Sequence, residues 1–130
     1  MKTAITLCQV PEAIQGPFVF RTPLPEAFAT VAALGFDAVE LFLPGPDFAS
    51  VEEIKALADT HQLRIAAVGT GAGMLRLGLS LTDPSEGKRE AALEFIFSMI
   101  DSGYLSAEIS PLPDSESAAR QTLSPIHSCL

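Results

Sequence analysis

A parallel α/β fold is predicted by a strand–helix alternation that occurs three times. Apolar, strand-like runs at Thr3–Val10, Ala38–Leu43 and Arg64–Gly69 each precede an amphipathic helix, at Leu24–Leu34, Val51–Gln62 and Pro84–Ile100. The strand starts lie about 30 residues apart, the size of one βα unit. Such alternation yields parallel strands joined by right-handed crossovers. A closed barrel of eight units takes about 250 residues, against 130 here. The expected fold is therefore a partial (β/α)8 barrel: three to four βα units with parallel strands, then an irregular C-terminal tail. A partial barrel is expected to leave two unpaired parallel edges, which invite self-association.

The first helix is marked at both ends. Pro25 suits a first-turn position and Glu26 complements the positive helix end. Phe28, Val31, Ala32 and Leu34 form its apolar stripe. Gly35 fits the left-handed residue just past the helix, with Phe36 folding back on the last turn. The second helix opens on Ser50-Val51-Glu52-Glu53, a capping box, and buries Ile54, Leu57 and Ala58. Its stop falls on His61-Gln62, where glycine would be less strained. The third predicted helix opens on Asp83-Pro84-Ser85-Glu86 as cap, first-turn proline and acid. Ala92, Phe95, Ile96, Met99 and Ile100 recur at helical spacing, and Leu93 and Phe97 widen that face.

After Asp101 the character changes. Residues 102–130 are rich in Ser and Pro, and Tyr104–Ile109 is the one weak candidate for a fourth strand. The tail lacks the Val/Ile-rich run of a central parallel strand and is expected to be poorly ordered. The organisation predicted is residues 1–101 as barrel units and 102–130 as an atypical tail.

A net charge of −8, from 16 acids against 8 bases, disfavours a nucleic-acid partner, because phosphate contacts need clustered Lys and Arg. No apolar stretch approaches a membrane span, and the N-terminal apolar run is too short for a signal peptide. The C-terminal Ser-Cys-Leu lacks the basic residue of a peroxisomal address. A cytoplasmic protein without nucleic-acid or membrane partners is expected. Cys8 reads as a small core residue, and Cys129 has no paired spacing.

In a parallel sheet, ligands sit at the carboxyl ends of the strands. That rule selects Glu40, the Leu43-Pro44-Gly45-Pro46 turn and the Gly69-Thr70-Gly71-Ala72-Gly73 loop. Glu40 is the one ionisable group in an apolar strand, so a reason for it is required. It is either a pocket-wall group that bonds a ligand hydroxyl or steadies a metal ligand, or a structural carboxylate bonded to a backbone amide or an arginine. The glycine loop, with Thr70 and Gly71, has small residues that let amides approach a phosphate. The plainer reading is a turn that needs unusual backbone angles. Gln9, at the end of the first strand, can offer an amide to a substrate hydroxyl. Arg76 either meets an anion or lies in solvent, and Phe18-Val19-Phe20 either covers the site or packs against the glycine loop. No serine triad can be assembled. His61 ends a surface helix, and His127 lies in the tail without an acid at ligand spacing.

The segments LGFDAVELFLPGP and LRIAAVGTGAG, followed by LSLTDP, resemble the sugar isomerase/epimerase superfamily with the xylose isomerase-like TIM barrel. The resemblance covers roughly residues 1–101. It implies a divalent-metal enzyme (Mn, Mg, Co or Zn) that interconverts sugars or sugar phosphates by moving a proton or hydride beside a carbonyl. Two Glu, one Asp and one His usually hold the metal, on later strands. None of those four positions can be placed on this chain, so no catalytic or metal residue is assigned, and substrate-binding roles fall to Glu40, Thr70, Gly71 and Gln9. The expectation is the N-terminal part of such an enzyme, inactive alone. The alternative is a small non-catalytic α/β binding protein, or a half-barrel that forms a homo-oligomer through its strand edges.

Overall fold

The computed structural model describes residues 1–104. Strands β1 (Ala4–Cys8), β2 (Ala38–Phe42) and β3 (Arg64–Gly69) form one sheet in the order β1-β2-β3. Both pairs are parallel, as the alternation predicts. Helices α1 (Leu24–Ala33) and α2 (Val51–His61) connect them, and α3 (Ala72–Leu77) and α4 (Glu86–Asp101) follow β3. This is the open, parallel α/β arrangement of a partial TIM barrel. The tail beyond Tyr104, with the rest of the fourth-strand candidate, His127 and Cys129, lies outside the described residues. Tyr104 itself lies in a turn, not a strand.

One face of the sheet packs against α1 and α2. Leu7, Val39, Leu41 and Ile65 meet Leu24, Ala27, Phe28 and Val31 of α1, spaced for one helical stripe, and Ile54 and Ala58 of α2. Successive strand residues point to opposite faces, so Thr6, Glu40 and Ala67 fall on the other, inner face.

Both helix stops are those the sequence indicates. Gly35 has φ +82°, its N–H donates to the Ala32 carbonyl at 3.0 Å, and Phe36 N–H donates to Val31 O at 3.3 Å. These are the paired bonds of a Schellman stop. Gln62 adopts the same left-handed conformation at φ 54°, with Leu63 N–H bonded to Ala58 O at 3.0 Å. A side chain there carries a steric cost that glycine lacks. Gln62→Gly is therefore expected to stabilise the fold by about 0.5–1 kcal/mol, after allowing for the looser unfolded chain. Chemical denaturation measures this, and a destabilised variant would contradict it.

The start of α4 departs from expectation. Ser85 is its N-cap, two residues later than the predicted Asp83. Pro84 keeps Asp83 out of the helical region, and the Asp83 carboxylate instead accepts the Ser85 N–H at 2.9 Å. The predicted stripe of α4 is also only partly covered. Ala92 and Met99 are buried, while Leu93, Phe97 and Ile100 are exposed. The carboxyl end of α4 docks at the β2–α2 loop, where Gly103 meets Val51 and Tyr104 bonds Pro46.

β1 and β3 are the edge strands of the sheet among the described residues, and β1 is covered at one point. Phe20 forms a parallel bridge with Leu7, and Cys8 N–H donates to Phe20 O at 2.8 Å.

The amino ends of β1 and β2 are pinned by Asp37. Its carboxylate accepts Lys2 Nζ at 2.7 Å and the Thr3 N–H at 2.9 Å. The Lys2 hydrogen bond first, then the Thr3 amide, hold the Asp37 carboxyl at about 2, below the ordinary 3.8. A carboxyl depressed by folding favours the folded state above its unfolded value. That stability is present above about pH 4 and is lost as pH falls through about 2. Asp37→Asn should flatten the acid limb of a stability–pH curve in this window. An unchanged limb would show that the pair contributes nothing.

Candidate functional site

Strand register assembles the inner face. Thr6 pairs with Glu40 and Cys8 with Phe42 across β1–β2. Glu40 pairs with Ala67 and Phe42 with Gly69 across β2–β3. A register irregularity between Val39 and Glu40 makes the second set possible, because it shifts Ala67 rather than Ala66 beside Glu40. Gly69 then stands beside Phe42 and makes room for its ring: a Cβ at Gly69 would lie 3.1 Å from Phe42 Cδ2.

Glu40 is half-buried in the middle layer. Thr6 Oγ1 donates to its Oε2 at 2.6 Å. Oε1 lies 3.7 Å from the place a Gly69 Cβ would occupy, toward the carboxyl ends of the strands. Among the described residues no donor reaches Oε1. The partner is a threonine hydroxyl rather than the amide or arginine that the structural reading expected, and one oxygen is left.

The glycine loop differs from its sequence reading. Gly71 is the N-cap of α3, with φ −62°, and neither Gly69 nor Gly73 has positive φ. Unusual backbone angles are not the reason for these glycines. Ring contact crowds two of them: a Cβ on Gly73 would meet Phe95 at 2.8 Å and one on Gly69 would meet Phe42 at 3.1 Å, whereas one on Gly71 would sit at an ordinary 3.4 Å from Phe42. Thr70 is half-buried, and its carbonyl accepts the Gly73 N–H at 3.2 Å. The Gly73 and Leu75 amides are thereby engaged within this turn.

Gln9 is placed at the carboxyl end of β1, but its side-chain amide holds the β1–α1 loop, donating to Thr22 O at 2.8 Å and Cys8 O at 3.3 Å. Arg76 is paired rather than free. It donates through Nε to Glu12 at 3.2 Å and through Nη1 to Pro44 O at 2.8 Å, so the loops after β1 and β2 meet at the helix after β3. Phe18 packs on Phe42 with centroids 5.2 Å apart, so it reaches the glycine loop through that ring. Cys8 is buried as expected.

Sequence reasoning passed over Arg21. It sits half-buried in the β1–α1 loop, its Nε donating to Phe18 O at 3.3 Å and its terminal nitrogens reaching Ala13 O and, at 3.8 Å, Cys8 Sγ. The available signal was a lone basic residue in a loop at the ligand-facing end of the sheet. Beside it lies a cavity of about 410 Å³ lined by Cys8, Gln9, Val10, Ile14, Arg21 and Phe48, within the size range of small-ligand sites. A larger hollow of about 780 Å³ lies between Asp47, Ser50 and the end of α4, away from Glu40 and from the residues of β1.

Among the described residues no three His, Cys, Asp or Glu side chains gather where they could hold a metal ion, and no helix is long and apolar enough to cross a membrane. A family model described as xylose isomerase-like TIM barrel matches residues 28–103. No curated protein matches the chain.

Proposed function

We propose that this chain, which belongs to the xylose isomerase-like TIM barrel family, supplies the opening βα units of a barrel that isomerises or epimerises a sugar or sugar phosphate. One observation carries the reading. Glu40 stands on the inner face of three parallel strands, one oxygen anchored by Thr6 and the other directed past Gly69 toward the carboxyl ends. A carboxylate fixed in this way accepts a substrate hydroxyl and orients the neighbouring carbonyl for proton or hydride movement. Thr6 limits its rotation.

In such barrels a divalent cation, when bound, stabilises enediolate charge. The described residues do not fit that ion. Glu40 is a single carboxylate beside a hydroxyl, not a convergent donor set. No step is assigned through a metal here. Among the described residues no group is placed to move the proton or to hold the ion.

The test uses the purified chain and a panel of ketoses and ketose phosphates. Binding should move the amide signals of Thr6, Glu40 and Gly69 without turnover. Glu40→Ala should weaken binding about tenfold, the loss of one charge-assisted hydrogen bond. Turnover by the chain unaided, or tight Mn²⁺ binding, would overturn the assignment.

A second reading, a non-catalytic half-barrel that self-associates, is favoured by Leu93, Phe97 and Ile100, exposed at successive turns of α4, and by the open side of β3. Light scattering decides it: a monomer at all concentrations ends the idea.

A further inference from the structure

We propose that Arg21 forms an oxyanion-binding site at the carboxyl end of β1, which takes the phosphate or carboxylate group of a small anionic substrate. Guanidinium remains charged at every accessible pH. A half-buried charge calls for a counter-charge. Among the described residues Arg21 has no acidic partner: the ion pairs are Lys2–Asp37, Arg76–Glu12 and Lys88–Asp83. Its contacts are the carbonyls of Phe18 and Ala13 and the Cys8 sulfur. Those dipoles orient the guanidinium without neutralising it.

Donor bookkeeping points the same way. Guanidinium has five N–H groups. Nε uses its one on Phe18, one terminal nitrogen uses one on Ala13, and the other uses one on Cys8. One N–H remains on each terminal nitrogen, available to the oxygens of a carboxylate or phosphate. The guanidinium carbon lies 5.8 Å from the centroid of the Phe18 ring, within cation–π range. Among the residues that line the adjoining cavity, Arg21 is the charged one; the rest are Cys8, Gln9 and apolar side chains. The site therefore combines a held cation, free donors and a hollow large enough for a small molecule.

This inference rests on the proposed function only in taking the carboxyl-end face as the ligand face. It narrows the substrate to one that carries an anionic group. The net charge of −8 opposes anion approach at long range, but at about 0.15 M ionic strength the distant acids are screened.

The test is an NMR titration of the full 130-residue chain at that constant ionic strength, with inorganic phosphate and, separately, with acetate. Saturable shifts confined to Cys8–Ile14 and Phe18–Thr22 are expected, with the Arg21 Nε–H signal moving and a dissociation constant of about 1–10 mM. The tighter of the two anions identifies the substrate's group. Arg21→Lys keeps the charge and loses the fork, and should weaken binding about tenfold. Lys55→Ala, on the exposed side of α2, should leave it unchanged. Absence of saturation with either anion, shifts spread evenly over the surface, or equal binding by Arg21→Lys would each overturn the site, and the wild-type titration decides even if a variant fails to fold. Neither probe is a ketose. Anion binding without ketose recognition would sink the isomerase reading alone, and ketose recognition without anion binding would sink this site alone.

Discussion

Phe28→Ala is expected to destabilise the chain by about 3–5 kcal/mol, the usual cost of emptying a fully buried aromatic position. Phe28 is 0% exposed and stands at the centre of the α1 stripe, against Leu7 and Val39 of the sheet. Both the lost burial and the remaining cavity contribute, because β1 and β2 are fixed by their ladder and cannot collapse inward. With native domains stable by about 5–15 kcal/mol, this one change removes a large fraction of the total. A fall in thermal midpoint of roughly 10–20 °C should follow. Leu34, at the end of the same helix, is 63% exposed. Leu34→Ala should therefore stay within about 0.5 kcal/mol of wild type. Similar losses for the two variants would mean that α1 does not present the face described.

Tyr104→Phe is the second large effect, about 1–3 kcal/mol from one oxygen atom. Tyr104 is 0% exposed, and its hydroxyl, with one proton to donate, lies 2.6 Å from Pro46 O and 2.5 Å from Ala49 O while accepting the Ala49 N–H at 3.3 Å. Phenylalanine fills the same space but leaves the Ala49 amide and the Pro46 carbonyl without that partner. The site is partly enclosed, so water replaces the hydroxyl incompletely, and desolvation outweighs the small gain from a more apolar ring. Because Tyr104 anchors the end of α4 to the β2–α2 loop, amide exchange should quicken at Met99–Ser102 before it does in the sheet. Exchange that rises uniformly, or not at all, would show that α4 is held by other contacts.

The fold was legible because its signals are local. Gly35 and Gln62 each mark a helix end from within a few residues of the bonds they enable, and the Ser50 hydroxyl accepts from Glu53 N–H at 3.1 Å, inside one turn. The strand runs were apolar on both faces, as buried parallel strands require. Glu40 was legible as a site candidate for the same reason: it interrupts that pattern. The start of α4 was misplaced because proline at the second position of Asp83-Pro84-Ser85 restrains the residue before it, an effect that competes with capping at Asp83.

The rest of the candidate site depends on partners far apart in the chain. Arg76 reads as exposed until Glu12 and Pro44 are brought to it. Arg21 reads as one more loop cation until Ala13, Phe18 and Cys8 surround it without an acid. The glycines at 69, 71 and 73 suggested backbone torsion, yet at 69 and 73 it is the rings of Phe42 and Phe95 that crowd a side chain.

The sequence by itself determined the order of the three strands and of α1, α2 and α4, but not the short α3; it also determined the parallel sense of the strands, the stops of α1 and α2, and the single carboxylate on the inner face, because periodicity and capping act within one or two turns. Only the tertiary structure decided which glycines yield to rings, which cations are neutralised and where α4 ends, because these follow from register, close packing and carbonyls contributed by segments that meet only once the chain has folded.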